Sequence, residues 1–462
     1  MSFALKRRVY ENAPLCMQDC VGAVPFDWLG GHPIAECSAG AWFDTASREQ
    51  IVRYQSEQLG RLLRFAAAEI PAYRYLKNEV ERLPPFDALK AFPLIDKETV
   101  QADLQRFLPR NFARTHVYKV TTGGTSGNQL DVYWDNQSQS REMAYIHRFM
   151  AQAGYKRRFR KATFRGVSFP DFPPGVFWYR NPIHNEMRFS PFHMTADNLP
   201  LYVDKLIDYQ PQFLHGYPSA ISILADFVLR EDLTGRLPDI RAVFLTSEAC
   251  TQMQRERIEA AFETRVSSWY GHSEGLVFAG ECTQSSTYHI APDYGVLELV
   301  DDNGDLRDAE GSQGEIVATG LENYALPLIR YRTGDFATRL ASACACGRNW
   351  DRMDKVQGRW RQEAVVSKGG GKIALTALNM HGSFFDNVRR YQYYEDTPGK
   401  CVIRIMPVPG FTEADRQSIE IAYNNKTKDE VEFRAQVVES IPLTARGKLR
   451  LLESHLEQAV DD

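Results

Sequence analysis

Residues 121–127 read Thr121-Thr122-Gly123-Gly124-Thr125-Ser126-Gly127, a loop of glycines and hydroxyl side chains between two predicted strands. Glycines allow positive φ angles and let backbone N–H groups approach an anion closely, while the hydroxyls add donors without net charge. The loop is not the P-loop pattern GxxxxGK[ST], because Asn128 and Gln129 stand where that pattern has lysine. Two interpretations of these residues stay open: a phosphate-binding loop or a tight polar hairpin turn.

Composition and charge indicate an ordinary globular protein. The chain has 462 residues, of which 44% are hydrophobic and 25% charged, so it can build two or three domains. Its net charge of −4, from 55 basic and 59 acidic residues, produces no field that would attract nucleic acid or an anionic membrane. No apolar run approaches the ~18 residues of a membrane helix, and no signal-peptide pattern is present. We therefore expect a soluble, cytoplasmic protein with no nucleic-acid partner and no membrane partner.

The middle of the chain alternates predicted strands with polar turns and helices. Ile240–Leu245 is an apolar run that ends in Thr246-Ser247-Glu248, and Val266–Tyr270 leads into Gly271-His272-Ser273-Glu274. Strand, polar turn and helix in this order are typical of α/β folds, whose ligands bind beyond the carboxyl ends of the strands. Residues 285–345 alternate as short strands with sharp turns, which predicts a β subdomain.

The end of the chain predicts a separate, smaller unit. Gly358-Arg359 is the best boundary, because an alternating strand over Cys401–Met406 and a capped helix start at Thr412 follow it. The predicted fold is α/β: a large N-terminal domain over residues 1–358 with several subdomains, mixed sheets and a β subdomain. A small α+β C-terminal domain covers residues 359–462.

Six short motifs occur in an order that resembles the adenylate-forming enzymes, which include acyl-CoA synthetases, peptide-synthetase adenylation domains and luciferases. The motifs are TTGGTSG at 121, SE at 247, YGHSEG at 270, YRTGD at 331, GR at 358 and TARGK at 444. Four further segments are similar to relatives of phenylacetate–CoA ligase, most of all to its capsular polysaccharide branch. They are FPLID at 92, HGYPSA at 215, Cys-x-Cys at 344 and ALTALNMH at 374. The resemblance covers nearly the whole chain and implies a large core, a hinge and a mobile C-terminal lid.

The resemblance assigns most of these residues to ATP, and their chemistry fits. Adenylation requires a carboxylate to attack the α-phosphorus of ATP and expel pyrophosphate, so charge on three phosphates must be neutralised. Glu274 would hold Mg²⁺, which prefers carboxylate oxygen, and Lys448 would bring a positive charge to the bridging oxygen. Tyr270 would stack on adenine, and Asp335 would accept from the ribose hydroxyls. The implied ATP-binding residues are Thr122, Gly123, Gly124, Thr125, Ser126, Gly127, Ser247, Glu248, Ala249, Tyr270, Gly271, His272, Ser273, Asp335 and Arg359.

Four soft ligands occur as two pairs close to these motifs. Cys282 and His289 follow the YGHSEG segment, and Cys344 and Cys346 follow YRTGD. Three cysteines and one histidine can supply all four ligands of a tetrahedral structural zinc site, and a zinc ion bound by ligands from two loops would hold those loops of the β subdomain together. The alternative is four unrelated side chains, since eight cysteines are too sparse for a disulfide framework and suggest reduced thiols. Relatives of phenylacetate–CoA ligase have the same pairs, so we favour a structural zinc.

The resulting hypothesis is an ATP-dependent, AMP-forming ligase that activates a small carboxylic acid and transfers the acyl group to a thiol, with coenzyme A as the family's default. Two alternative acceptors stay open: an amine of a sugar or amino acid, and a carrier-protein pantetheine. A zinc-stapled binding protein that has lost the chemistry is a further alternative. The acyl pocket is expected around Tyr145, Gly216, Tyr217 and Pro218. Gln362, where the family hinge has Asp or Lys, bears on the acceptor, and the resemblance also allows a homodimer.

Overall fold

The computed structural model has the mixed α/β fold that the sequence predicts. It describes residues 9–10, 13–23, 39–112, 117–121, 130–165, 173, 175–191, 193–194, 196–354, 356, 364–370, 372–374, 378, 385, 387–427, 429–442 and 450–456. The α-helices are α1 (Leu15–Ala23), α2 (Arg48–Glu69), α3 (Lys77–Arg82), α4 (Pro85–Lys90), α5 (Lys97–Ala102), α6 (Leu104–Phe107), α7 (Asn136–Ala151), α8 (Leu199–Tyr209), α9 (Pro218–Arg230), α10 (Gln252–Phe262) and α11 (Glu413–Thr427).

The strands form two large sheets and two short hairpins. In chain order they are β1 (Val117–Thr121), β2 (Asp131–Asp135), β3 (Lys161–Phe164), β4 (Trp178–Asn181), β5 (Glu186–Phe189), β6 (Phe213–Gly216), β7 (Ala242–Leu245), β8 (Val266–Gly271), β9 (Phe278–Glu281), β10 (Tyr288–Ile290), β11 (Gly295–Val300), β12 (Gln313–Gly320), β13 (Tyr331–Leu340), β14 (Arg352–Met353), β15 (Ala364–Val366), β16 (Lys372–Ala374), β17 (Val388–Thr397), β18 (Lys400–Pro407), β19 (Glu432–Val437) and β20 (Leu452–Ser454).

One twelve-stranded sheet organises the larger part of the chain, in the order β11-β12-β13-β14-β10-β9-β8-β7-β6-β3-β5-β4. Strands β8, β7, β6, β3 and β5 are parallel, and the strands on the β9 side are antiparallel. The β subdomain predicted over residues 285–345 is therefore continuous with the parallel strands. Parallel strands are buried on both faces, which agrees with the burial of all four residues in β6 and in β7.

Helices cover the two faces of the parallel strands. Leu214 and Val243 pack in one apolar cluster with residues of α8, α9 and α10, while Phe213 and Phe244 pack in another with residues of α7 and the start of α2. Because neighbouring residues of a strand point to opposite faces, these two clusters lie on opposite sides of the sheet. We refer to them as the α9 cluster and the α7 cluster. The predicted α/β layering is confirmed.

Helix starts follow local capping chemistry. Ser47 forms a capping box with Gln50 at the start of α2, and Thr251 forms one with Gln254 at the start of α10. Helix α7 begins at Asn136, because the Asp135 side chain accepts from the Ser138 N–H at 2.6 Å.

The C-terminal sheet has its own apolar core. Strands β19-β18-β17-β20 form a four-stranded sheet covered by α11. Its cluster includes Val388, Ile403, Tyr423 and Phe433, and the Tyr423 hydroxyl lies 2.7 Å from the Tyr393 hydroxyl. A smaller α+β unit is therefore present, as the sequence predicts. The precise boundary at Gly358-Arg359 lies outside the described residues and stays a prediction.

None of the helices in the described part of the chain combines the length and apolarity needed to cross a bilayer.

Candidate active site

Three neighbouring parallel strands lead to the same edge of the sheet, where β8 extends three residues beyond the position paired with the end of β7, and each carries a predicted site segment at or after its end. Gly216 at the end of β6 pairs with Leu245 at the end of β7, and Leu245 pairs with Ser268 of β8. The turns after these strands therefore meet at one edge of the sheet, which is where α/β proteins bind ligands. The segments that meet there are Gly216-Tyr217-Pro218, Ser247-Glu248-Ala249 and Tyr270-Gly271-His272-Ser273-Glu274.

Gly216 allows close packing between two strands. A Cβ atom at this position would collide with the carbonyl oxygen of Phe164 on β3, so a larger residue does not fit. The Tyr217 N–H donates to the same oxygen at 3.0 Å, and Pro218 is the first residue of α9. Tyr217 is only 4% exposed and packs in the α9 cluster. These three residues therefore form a closely packed connection between the end of β6 and the start of α9.

The turn after β7 has an uncommon backbone conformation at Ser247. Its φ angle is +67°, in the left-handed region that non-glycine residues rarely adopt, and the residue is exposed. Next to it, Glu248 Oε2 accepts from the Ser219 N–H at 3.1 Å. A carboxylate in this position stabilises the unpaired N–H groups at the start of α9. The binding role predicted for this turn stays a prediction.

Tyr270 and Asp335 are joined across the same edge. The Tyr270 hydroxyl donates to Asp335 Oδ2 at 2.9 Å. Burial and the negative charge of Asp335 raise the pKa of Tyr270 well above its ordinary value, so the phenol stays protonated and continues to donate. The Asp335 N–H donates to Thr333 Oγ1 at 3.1 Å, which helps to fix the residue. A carboxylate has several acceptor positions, so Asp335 can accept from a ribose hydroxyl while it is bonded to Tyr270.

Glu274 is held next to this pair and is only 3% exposed. Its Oε1 accepts from the Tyr331 hydroxyl at 3.1 Å, and its Oε2 lies 3.4 Å from His272 Nδ1. Neither ring nitrogen of His272 has a hydrogen-bond partner among the described residues. Trp134 Nε1 donates to the Ser273 carbonyl oxygen at 3.1 Å and so fixes the backbone before Glu274. A nearly buried, fixed carboxylate suits Mg²⁺, a hard cation that takes oxygen ligands.

Tyr145 lies on a different face of the sheet from Tyr217. Its ring packs in the α7 cluster against Tyr294, with 4.8 Å between ring centroids, and borders a cavity of about 400 Å³. Arg148 and Asp293 form a polar wall of this cavity and are joined by hydrogen bonds of 2.9 and 3.1 Å. Because Tyr145 and Tyr217 belong to separate clusters, an acyl pocket that uses both rings stays a prediction.

The four cysteine and histidine side chains converge on one point. The ligand atoms of Cys282, His289, Cys344 and Cys346 all lie within 4.8 Å of one another. Cys282 Sγ is 3.6 Å from Cys344 Sγ, and Cys346 Sγ is 3.3 Å from His289 Nε2. Burial and two nearby arginines lower the pKa of His289 to about 4, so its imidazole is neutral at pH 7. The four side chains come from β10, the end of β9 and the β13–β14 connection, which are neighbours in the sheet.

Three parts of the predicted site lie outside the described residues: Thr122–Gly127, Arg359 and Lys448. The strands that flank the glycine-rich loop are described. They pair antiparallel, from Val117 opposite Asp135 to Thr121 opposite Asp131. The loop therefore connects the two strands of a hairpin, and its predicted contact with phosphate stays a prediction.

Three supporting contacts were not predicted from the sequence, although Tyr331 belongs to the YRTGD motif. Trp134 and Tyr331 hold the Ser273-Glu274 segment from distant strands, and Arg390 Nη2 reaches the Ser219 carbonyl oxygen at 3.5 Å from the C-terminal sheet. Because buried Trp and Tyr side chains usually form a hydrogen bond through their N–H or O–H group, the sequence does indicate that Trp134 and Tyr331 have a partner if they are buried. The sequence has no signal for which partner they find, and none at all for Arg390.

Comparison with known proteins reveals relatives over most of the chain, although no family model matches it. The chain is 24% identical to protein CapK of Staphylococcus aureus over 380 residues, 80% of this chain and 81% of that protein. It is 28% identical to the phenylacetate-coenzyme A ligase of Thermus thermophilus over 341 residues, 70% of this chain and 73% of that protein. Its fold is similar to that of 2-hydroxyisobutyryl-CoA ligase in the postadenylation state, with a TM-score of 0.70, 17% identity, and coverage of 89% of this chain and 91% of that one.

Proposed function

We propose a reaction from one premise: the chain belongs to the adenylate-forming enzymes, on their phenylacetate–CoA ligase-like branch. The proposed reaction is the ATP-dependent activation of a small carboxylic acid as its acyl-adenylate, followed by transfer of the acyl group to the thiol of coenzyme A. The observation that carries the proposal is the meeting of the Ser247 turn, the Tyr270–Asp335 pair and Glu274 at the carboxyl edge of β6, β7 and β8.

In the first step a carboxylate oxygen of the acid attacks the α-phosphorus of ATP. A bond forms between that oxygen and phosphorus, and the bond to the bridging oxygen breaks, releasing pyrophosphate. The Tyr270 ring would lie against adenine, and Asp335 would accept from the ribose. Glu274 would hold Mg²⁺, which when bound neutralises charge on the phosphate oxygens. Thr122–Gly127 and Lys448 would supply the remaining donors and the positive charge at the bridging oxygen.

In the second step the thiol sulfur of coenzyme A attacks the carbonyl carbon of the adenylate. The bond from that carbon to the phosphate oxygen breaks, AMP leaves, and the thiol proton is released. Exclusion of water from the adenylate would favour this step over hydrolysis, because water would compete for the same carbon.

The test of this function is ATP–pyrophosphate exchange over a panel of aryl, hydroxy and amino acids, followed by replacement of the acceptor. We expect exchange that depends on one class of acid, and thioester formation when coenzyme A is added. Product formation only with an amine or a carrier protein would move the acceptor to those alternatives. No exchange with any acid, in protein that is folded and loaded with metal, would contradict the proposal.

A structural zinc ion is also proposed for the Cys282–His289–Cys344–Cys346 cluster. Zinc–sulfur bonds of about 2.3 Å in a tetrahedron place two sulfurs ~3.8 Å apart, close to the 3.6 Å between Cys282 and Cys344. The neutral His289 and the three thiols supply the donor types that zinc prefers. Bound there, zinc would tie β9 and β10 to the β13–β14 connection, which neighbours the strand carrying Asp335.

We predict that Cys282→Ser loses one equivalent of bound zinc and melts at a lower temperature. Structural zinc contributes folding free energy directly, and a loss of about 4 kcal/mol would lower the Tm by roughly 5 °C in a domain of about 350 residues. Zinc content by elemental analysis and Tm by calorimetry are the measurements. Cys16→Ser is the matched control, because Cys16 is exposed on α1. Wild-type protein with no zinc, and an unchanged Tm in Cys282→Ser, would contradict the site.

The assignment to a capsular polysaccharide branch is likewise a proposal, supported by the similarity to protein CapK. A homodimer and a cytoplasmic location stay predictions from the sequence.

A further inference from the structure

The C-terminal sheet contacts the N-terminal part of the chain through arginines at the start of β17. Arg389 Nε faces Asp226 Oδ2 at 3.9 Å, and Asp226 Oδ1 accepts from Arg257 Nη1 at 3.3 Å. Arg257 also donates to the carbonyl oxygen of Val388 at 3.3 Å. Asp226 lies on α9 and Arg257 on α10, so the first residues of β17 sit against the two helices that pack beneath the site edge.

Arg390 extends this junction to the candidate nucleotide site. Its Nη2 donates to the Ser219 carbonyl oxygen at 3.5 Å, and the Ser219 N–H donates to Glu248 Oε2 at 3.1 Å. Arg390 is only 9% exposed, and a charge that is buried to this extent needs an opposite charge nearby. Glu248 and Asp226 supply it, and both act on the Arg390 guanidinium. A single residue, Ser219, thus lies between a C-terminal arginine, which its carbonyl oxygen contacts, and the carboxylate next to the Ser247 turn, which its N–H contacts.

The junction is only partly satisfied in its hydrogen bonds. Ser219 Oγ, Asp226 Oδ2 and Arg389 Nε are buried and have no hydrogen-bond partner among the described residues. Unpaired buried polar atoms weaken a contact, since they have lost water without gaining a partner. The contact of β17 with α9 and α10 is therefore held by the charges of Arg389, Arg390 and Asp226 together with two hydrogen bonds of 3.3 and 3.5 Å.

We propose that Arg390 is a positioning residue that couples Mg-ATP binding to docking of the C-terminal sheet. When the C-terminal sheet is docked, Arg390 holds Ser219 and, through the Ser219 N–H, the side chain of Glu248. Glu248 in turn holds the adjacent Ser247 turn in the geometry that accepts the nucleotide. The inference rests on the proposed function, because it assumes that the Ser247 turn contacts ATP. Coupling between two equilibria is reciprocal, so bound Mg-ATP must in turn strengthen the docked contact.

The first test is a double-mutant cycle in which Mg-ATP affinity is measured by titration calorimetry. We expect Arg390→Met and Glu248→Gln each to weaken binding about fivefold or more. The double variant is expected to be little weaker than the weaker single variant, since the two residues act through one contact. Arg434→Met is the matched control: this arginine lies on β19 of the same sheet, is exposed and pairs only with Glu432 among the described residues, at 2.7 Å. The control is expected to keep the wild-type affinity.

Hydrogen exchange gives a second measurement that requires no acid and no turnover. Mg-ATP is expected to slow exchange of the amides at the start of β17 in the wild type and in Arg434→Met, but not in Arg390→Met. If Arg390→Met melts far below the wild type, Arg390→Lys, which keeps the buried charge but not the planar donor group, takes its place with the same expected loss of coupling.

The outcomes separate this inference from the proposed function. A wild type that binds Mg-ATP, with all variants within twofold of its affinity and the same protection of β17, would overturn the coupling and leave the proposed function standing. Additive losses in the double variant would also overturn it. A wild type that binds no Mg-ATP would overturn both.

Discussion

Lys448→Ala is expected to lower the rate of ATP–pyrophosphate exchange by about 10²–10³-fold, the usual cost of removing one group that stabilises transition-state charge. In the proposed adenylation step the bond from the α-phosphorus to the bridging oxygen breaks, and negative charge accumulates on that oxygen. The other proposed cation at the phosphates is Mg²⁺, so the loss of the lysine leaves the charge on the leaving pyrophosphate poorly compensated. The measurement is the initial exchange rate at saturating acid and Mg-ATP.

The same variant separates the two half-reactions. Formation of thioester from a supplied acyl-adenylate involves no bridging phosphate oxygen, so we expect it to change by less than tenfold in Lys448→Ala. Lys400→Ala is the control, because Lys400 is an exposed lysine on β18 of the C-terminal sheet. Equal losses in both half-reactions, or an exchange rate like that of the control, would contradict the role given to Lys448.

Glu274→Gln is expected to lower the exchange rate by about 10²-fold or more and to raise the Mg²⁺ concentration needed for half-maximal activity. The side-chain amide can still accept from the Tyr331 hydroxyl, which lies 3.1 Å from Oε1, so the local fold should persist. The change removes the negative charge that a hard cation requires. A magnesium titration of the exchange rate, together with Tm, distinguishes loss of metal from loss of structure.

Two further variants serve as comparisons for Glu274→Gln. Tyr331→Phe leaves the Glu274 charge but removes its fixed donor, so a smaller loss of about tenfold is expected. Glu256→Gln changes an exposed carboxylate on α10 and should match the wild type. An unchanged magnesium requirement in Glu274→Gln would show that the metal is held elsewhere.

The sequence predicts well those features that depend on neighbouring residues. The apolar run Ile240–Leu245 and the polar turn after it identify β7 and the site edge, because buried parallel strands need continuous apolar side chains. Ligand type and pairing along the chain predict the cluster of three cysteines and one histidine, and the structure brings the four side chains together. Capping residues such as Thr251 mark helix starts, because the capping contact joins residues only three positions apart in the sequence.

Features that depend on distant residues could not be predicted in this way. The contact of Trp134 with the Ser273 carbonyl oxygen joins residues 139 apart, and that of Arg390 with Ser219 joins residues 171 apart. Such pairs are set by the strand order of the sheet, which periodicity does not reveal. The separation of Tyr145 and Tyr217 onto opposite faces has the same cause. Both side chains are aromatic and suit one pocket by type, but only the packing of α7 and α9 decides which face each ring occupies.

The central claim, that the chain joins an acid to AMP before the acceptor attacks, can be tested by following oxygen atoms. An acid that supports exchange is prepared with ¹⁸O in both carboxylate positions and turned over with Mg-ATP and coenzyme A. Attack of the carboxylate on the α-phosphorus, followed by cleavage at the carbonyl carbon, must leave one ¹⁸O in AMP and none in pyrophosphate. Mass spectrometry of the nucleotide is expected to show this single label. Unlabelled AMP, or label in inorganic phosphate together with ADP, would contradict the account.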